Sequence, residues 1–93
     1  MSDKQWTFLS NHGHVLVYLA RNPEVRVREL ADAIGFTERA ALGIIGDLEA
    51  EGYISVIKVG RRNKYRVNRK LKFRHSTESH KSIGDLINIF LNP

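Results

Sequence analysis

A three-residue interval, Gly35-Phe36-Thr37, lies between two stretches of helical periodicity and restricts how the chain around it can fold. Before it, Arg28 to Ile34 puts Leu30, Ala31 and Ile34 on one side of two helical turns, and Gly35 stands where a left-handed residue closes a helix. After it, Thr37 can accept from free first-turn amides, which predicts a helix from Glu38 to about Glu51. That helix turns Ala41, Ile44, Ile45 and Leu48 inward and ends at Gly52. An interval this short forces the two helices to share one core.

An earlier helix is predicted from a Ser10 cap to about Arg21, with Leu9, His12, Val15, Leu16 and Leu19 near one face. Gly13 weakens its first turn, and Asn22-Pro23 stops it because proline disfavours helical geometry in the residue before it. Val25-Arg-Val27 alternates and reads as a short strand. Tyr53 to Val59 and Lys64 to Val67 read as two further strands, joined by the loop Gly60-Arg61-Arg62-Asn63, with Gly and Asn where a hairpin turn favours them.

The charge of the chain is concentrated on that hairpin and the segment after it. Nine of the fifteen basic residues fall between Lys58 and Arg74, which contains no Asp or Glu, whereas the segments on either side are net acidic. A polyanion is the expected partner, and a pI near 9.9 suits a nucleic-acid binder. Arginines at a hairpin tip reach phosphate oxygens without being desolvated by their own core. Arg61 and Arg62, flanked by Lys58, Lys64 and Arg66, can neutralise four or five phosphates, which corresponds to a log-log salt slope of roughly −4 to −5. Tyr65 and Val67, on the other side of their strand from Lys64 and Arg66, would anchor the hairpin.

At 93 residues with 42% apolar content, a single domain over 1–93 with a modest core is expected. Domains of this size bury roughly 60 to 65% of their unfolded surface, so a second chain would help. The absence of cysteine removes disulfides, thiolate metal sites and a Cys nucleophile. Apolar runs such as Val15 to Ala20 are too short for a membrane span, and no export signal opens the chain, so a cytoplasmic location is expected. No nucleophile, base and orienter share a recognisable frame, and no glycine loop cradles phosphate, so neither an enzyme nor a cofactor is indicated. His12, His14, His75 and His80 raise a metal-sensor reading, but the first two point apart on a helix and no carboxylate cluster joins them.

Past Asn68, a basic connector from Arg69 to His75 leads to a polar patch, Ser76 to Ser79, expected to end in the cap of a last helix. There Ile83, Leu86, Ile87, Phe90 and Leu91 form an apolar stripe that can fold back on the first helix or pair with a second chain. Trp6, Phe8 and Leu9 have no obvious partner within the chain, so a dimer seam joining them to Ile83, Leu86, Ile87 and Phe90 is expected.

Val27-Arg-Glu-Leu-Ala-Asp-Ala-Ile-Gly35, Thr37-Glu-Arg-Ala40, Asp47-Leu-Glu-Ala-Glu-Gly-Tyr-Ile54 and Val59-Gly-Arg-Arg-Asn-Lys-Tyr-Arg-Val67, in that order, resemble small prokaryotic winged helix-turn-helix regulators of the MarR and ArsR type. The resemblance implies a mainly α fold with a small β-hairpin: a three-helix core and a two- to three-stranded wing over residues 10–68, then the connector and a C-terminal helix over 69–93. It further implies a homodimer on double-stranded DNA, with the third helix reading bases and the wing gripping phosphate or minor groove. The DNA-contacting positions become Thr37, Arg39, Leu42 and Gly43 on the helix, and Lys58, Arg61, Arg62, Asn63, Lys64 and Arg66 on the wing. The third helix departs from the pattern, because Leu42 and Gly43 stand where polar side chains are usual and Glu38 to Glu51 holds four acids against one base. Only Arg39 there offers bidentate pairing to guanine, so readout by DNA shape is expected. The alternatives are a protein-contact module using Leu42, Gly43 and Gly46, and an RNA binder using Arg69 to Arg74. The residues name neither an operator nor an effector.

Overall fold

The computed structural model describes residues 6–91, and their order is α1 (Asn11–Arg21), α2 (Val27–Ile34), α3 (Glu38–Ala50), β1 (Ile54–Val59), β2 (Arg62–Val67) and α4 (Ile83–Leu91). The predicted boundaries of α1, α2 and α3 agree to within a residue. Ser10 accepts from the Gly13 amide at 3.2 Å and Thr37 from the Ala40 amide at 3.1 Å, so each helix starts where a hydroxyl satisfies a first-turn donor. At the end of α2, Gly35 takes φ 94°, and the Phe36 amide returns to the Ala31 carbonyl. At the end of α3, Gly52 and Tyr53 return their amides to Glu49 and Leu48, the paired closure of a Schellman motif.

These helices close over one core. Val15, Leu16 and Leu19 of α1 meet Leu30 and Ala31 of α2, Ala41, Ile44, Ile45 and Leu48 of α3, Ile54 and Tyr65 of the hairpin, and Ile83 and Ile87 of α4. Burying each of the larger side chains contributes about 1.5–3 kcal/mol. Gly13 has a role beyond weakening the first turn, since Leu9 lies 3.1 Å from where a Cβ at position 13 would stand. The glycine admits Leu9 against α1.

The strand expected at Val25–Val27 does not form. Arg26 instead precedes α2, and its amide donates to Glu29 Oε1 at 3.1 Å, which removes it from any ladder. Pro23 has no amide to give. One carbonyl survives as a partner, and the Tyr65 amide donates to Pro23 O at 2.7 Å along the free edge of β2. The wing is thus a two-stranded antiparallel sheet.

Its turn is shorter than the expected four-residue loop. Val59 pairs with Arg62 and Lys58 with Asn63, which leaves Gly60-Arg61 as a two-residue connection. Gly60 has φ 64°, and no residue other than glycine among those described has positive φ, the pattern of a type II′ turn with glycine first. Glycine at this position lets Arg62 and Asn63 join the strand.

After β2 the chain packs tightly. The Asn68 amide donates to Tyr53 O, Tyr53 Oη to Lys72 O, Phe73 N to Lys81 O, Ile83 N to Leu71 O and Gly84 N to Arg69 O. Residues 69–73 and 81–84 therefore run antiparallel, with a bridge between Lys72 and Ser82. The cap of α4 is Ser82 and not the Ser76–Ser79 patch, which closes on itself through Ser79 Oγ to Ser76 O. Ser82 and Asp85 cap each other reciprocally, Ser82 N to Asp85 Oδ2 at 3.1 Å and Asp85 N to Ser82 Oγ at 3.2 Å. The bond from the Ser82 amide is the main reason the Asp85 carboxyl is held below its usual pKa.

Candidate nucleic-acid interface

Pleating divides the wing cations between two faces. The pairs Ile54–Val67, Val56–Tyr65 and Lys58–Asn63 lie on one face, and Ser55–Arg66, Ile57–Lys64 and Val59–Arg62 on the other. The first face buries Ile54 and Tyr65 toward the core and half-buries Asn63. The second is exposed and sets Arg62, Lys64 and Arg66 at alternate positions beside Ile57 and Val59. Lys58 is exposed on the core-side face near the tip, and Arg61 is exposed on the turn itself.

Arg62 does not project freely. Its Nη2 donates to the carbonyl oxygen of Glu24 in the segment between α1 and α2. Side-chain Arg62 and backbone Tyr65 thus both fasten β2 to residues 23–24. Arg61 carries no such tie.

On α3, Glu38, Arg39, Leu42, Gly43, Gly46, Asp47 and Ala50 are all exposed, as the inward set Ala41, Ile44, Ile45 and Leu48 requires. Leu42 leaves 55% of its surface in solvent. A Cβ added at Gly43 or Gly46 would meet nothing within 4 Å, so this part of the helix is a shallow surface unobstructed by neighbours. Thr37 spends its oxygen on the α3 cap, and its hydroxyl hydrogen remains able to donate.

Two acids at the C-terminal end of α3 have side-chain partners on other elements. Asp47 Oδ2 lies 2.8 Å from His12 Nε2, and Glu51 lies 3.9 Å from Arg74. Both pairs are exposed and add little stability. They do draw two carboxylates toward α1 and the connector, away from the Arg39 end.

The expected seam residues divide. Ile83 and Ile87 are buried in the chain's own core against α1, Ile87 completely, and so are not available to a second copy; α4 takes the fold-back course for these two. Leu86 is half-buried, whereas Phe90 is exposed, as is Ile89, which the periodic stripe omitted. Trp6 and Phe8 stack edge to face at 5.2 Å and remain 67% and 94% exposed. Leu9 is half-buried over Gly13.

Among the described residues no cluster of three or more His, Asp or Glu side chains can hold a metal ion, and no helix is long and apolar enough to cross a membrane. Arg26, which the sequence places in an expected strand and outside the candidate set, lines a cleft with Arg61 and Arg62.

Three helices with a glycine-closed turn between the second and third, followed by a basic two-stranded hairpin, define a winged helix-turn-helix protein. Residues 10–55, just under half the chain, match the family described as winged helix-turn-helix DNA-binding. Among solved structures it is similar to MepR, a transcription regulator of the Staphylococcus aureus multidrug efflux pump MepA. The identity is 21% and the TM-score 0.56, over 69% of this chain and 50% of that one, a likeness of fold. The chain spans about half the length of that regulator. No curated protein matches the sequence.

Proposed function

We propose that the protein is a homodimeric transcription regulator that binds double-stranded DNA and performs no catalysis. In this reading α3 enters the major groove and the wing grips backbone phosphates or the adjacent minor groove. The observation that carries it is the placement of Arg61 at the apex of a short type II′ hairpin in a domain whose family binds DNA, with Lys64 and Arg66 exposed behind it. Such a hairpin holds guanidinium charge out in solvent at low entropic cost, and charge placed that way gains most from a polyanion.

The α3 surface supports register and shape readout over a dense hydrogen-bond code. Arg39 can pair with guanine, Leu42 can touch a thymine methyl, and the bare Gly43 and Gly46 admit close approach of the backbone. Pairing of Asp47 and Glu51 with His12 and Arg74 moderates repulsion from phosphate and weighs against a partner that docks on the acids. Trp6, Phe8, Ile89 and Phe90 are the exposed apolar side chains at the chain ends, and a second copy is the occupant proposed for them.

Titration with duplex DNA at several salt concentrations, against structured RNA of equal charge as competitor, tests the reading. Duplex preference with a log-log slope near −4 supports it. Equal competition by RNA points to the connector cations, and binding independent of duplex length leaves only a generic basic surface.

A further inference from the structure

A cleft of about 390 Å³ separates the wing from the start of α2, and its walls include Arg26, Arg61, Arg62 and Asn63, with Val25, Val27 and Tyr65 as the apolar remainder. No carboxylate lines it. None of the three arginines is in a salt bridge among the described residues, so three like charges border one cleft without a direct ion pair. Arg62 is oriented by its bond to Glu24 O, and the Asn63 amide sits half-buried beside it. Glu29 Oε1 already accepts from the Arg26 amide at 3.1 Å, so at this residue only the side chain is left for an anion in the cleft.

We infer that this cleft is a seat for one backbone phosphate, clamped between Arg26 on the body of the domain and Arg61 on the wing tip. Like-charged guanidinium groups repel one another, and a multidentate oxyanion between them replaces that repulsion with paired N–H···O bonds. A single phosphate bridging the two elements also sets the angle between wing and helices. Arg62 acts as a positioning residue, holding β2 at the distance the cleft requires. The inference rests on the duplex-DNA reading and adds to it a contact outside both the wing face and α3.

The test measures duplex DNA affinity by fluorescence anisotropy between 50 and 200 mM salt, for the wild-type protein and the variants Arg26→Ala, Arg26→Lys, Arg61→Ala and Lys81→Ala. Lys81 lies on the connector ahead of α4 and serves as the equal-charge control. Losing one phosphate contact reduces the salt slope by about 0.9, so affinity falls about 3.5-fold less across this range in Arg26→Ala than in wild type. Arg26→Lys should restore most of the slope, and Lys81→Ala should leave it unchanged. Arg26 is exposed and its side chain makes no cap bond to α2, so the variants should fold, which thermal melting verifies. If Arg26→Ala keeps the wild-type slope while Arg61→Ala loses about 0.9, the clamp is wrong and the wing reading stands. Equal flattening by Arg26→Ala and Lys81→Ala means diffuse attraction and overturns the clamp as well. Absence of salt-dependent duplex binding by the wild-type protein removes both readings.

Discussion

Arg62 on the second wing strand donates to the backbone carbonyl of Glu24, thirty-eight positions earlier, so a residue whose type suggests a phosphate contact also fastens the wing to the helical body. Its neighbour Arg61, one position back on the turn, makes no such bond. Adjacent arginines have thereby acquired different work.

Single substitutions should separate them. Arg61→Ala is expected to flatten the salt dependence of duplex binding by about one unit while leaving stability within about 0.5 kcal/mol of wild type. Arg62→Ala should cost about 1 kcal/mol of stability through the lost tie. Chemical denaturation paired with binding isotherms reads both. Two variants with matching slopes and wild-type stability would mean that the tie is not made in solution.

Gly43 and Gly46 allow stability and binding to be uncoupled. Nothing stands where their Cβ atoms would go, so alanine at either site should stabilise α3 by about 0.8–1 kcal/mol. If the DNA backbone approaches this surface closely, the same substitutions weaken duplex binding. A stabilised variant that binds as well as wild type would place the DNA elsewhere.

Arg39 is the one α3 side chain able to distinguish guanine by a bidentate pair. Arg39→Ala should relax sequence preference, measured by selection from a random duplex pool, and change nonspecific affinity little. Preference that survives intact assigns readout to groove shape.

The two sides of α4 predict different failures. Ile87→Ala empties a fully buried position and should cost 2–5 kcal/mol of folding stability. Phe90→Ser, on the exposed side, should leave folding nearly unchanged and shift sedimentation equilibrium toward monomer if a second copy covers it. A wild-type protein that sediments as a monomer at micromolar concentration would overturn the seam.

Acid should loosen α4 first. The Asp85 carboxyl is held below its usual pKa by the Ser82 amide and then the Ser82 hydroxyl, so its contribution is present at neutral pH and is lost as pH falls through that lowered value. Amide exchange or circular dichroism followed downward from pH 5 should show α4 fraying ahead of the core. Asp85→Asn should remove this pH dependence, and a variant that frays over the same interval assigns the transition to other groups.

Much of the fold was legible because local chemistry and global packing agree: Ser10 and Thr37 cap, Gly35 and Gly52 terminate, and the inward residues of α1 to α3 repeat at helical spacing. Elsewhere competing partners decided the outcome. Val25–Val27 has the alternation of a strand, but Glu29 claims the Arg26 amide and Pro23 offers none. The apolar stripe assigned Ile83 and Ile87 to a seam with a second chain, whereas the antiparallel run of 69–73 with 81–84 delivers them onto the chain's own core. Of the site, the sequence spacing identified the wing cations and the exposed α3 face. Arg26 was not legible as a site residue because the cleft that it lines has Arg61, thirty-five residues away, on its other wall.

That antiparallel run has a mechanical meaning. Main-chain bonds from Ile83 and Gly84 to Leu71 and Arg69 fasten the first turn of the final helix to the segment that leaves the hairpin. The joint is short, so a neighbour that gripped Ile89 and Phe90 would hold the same body from which the basic blade extends.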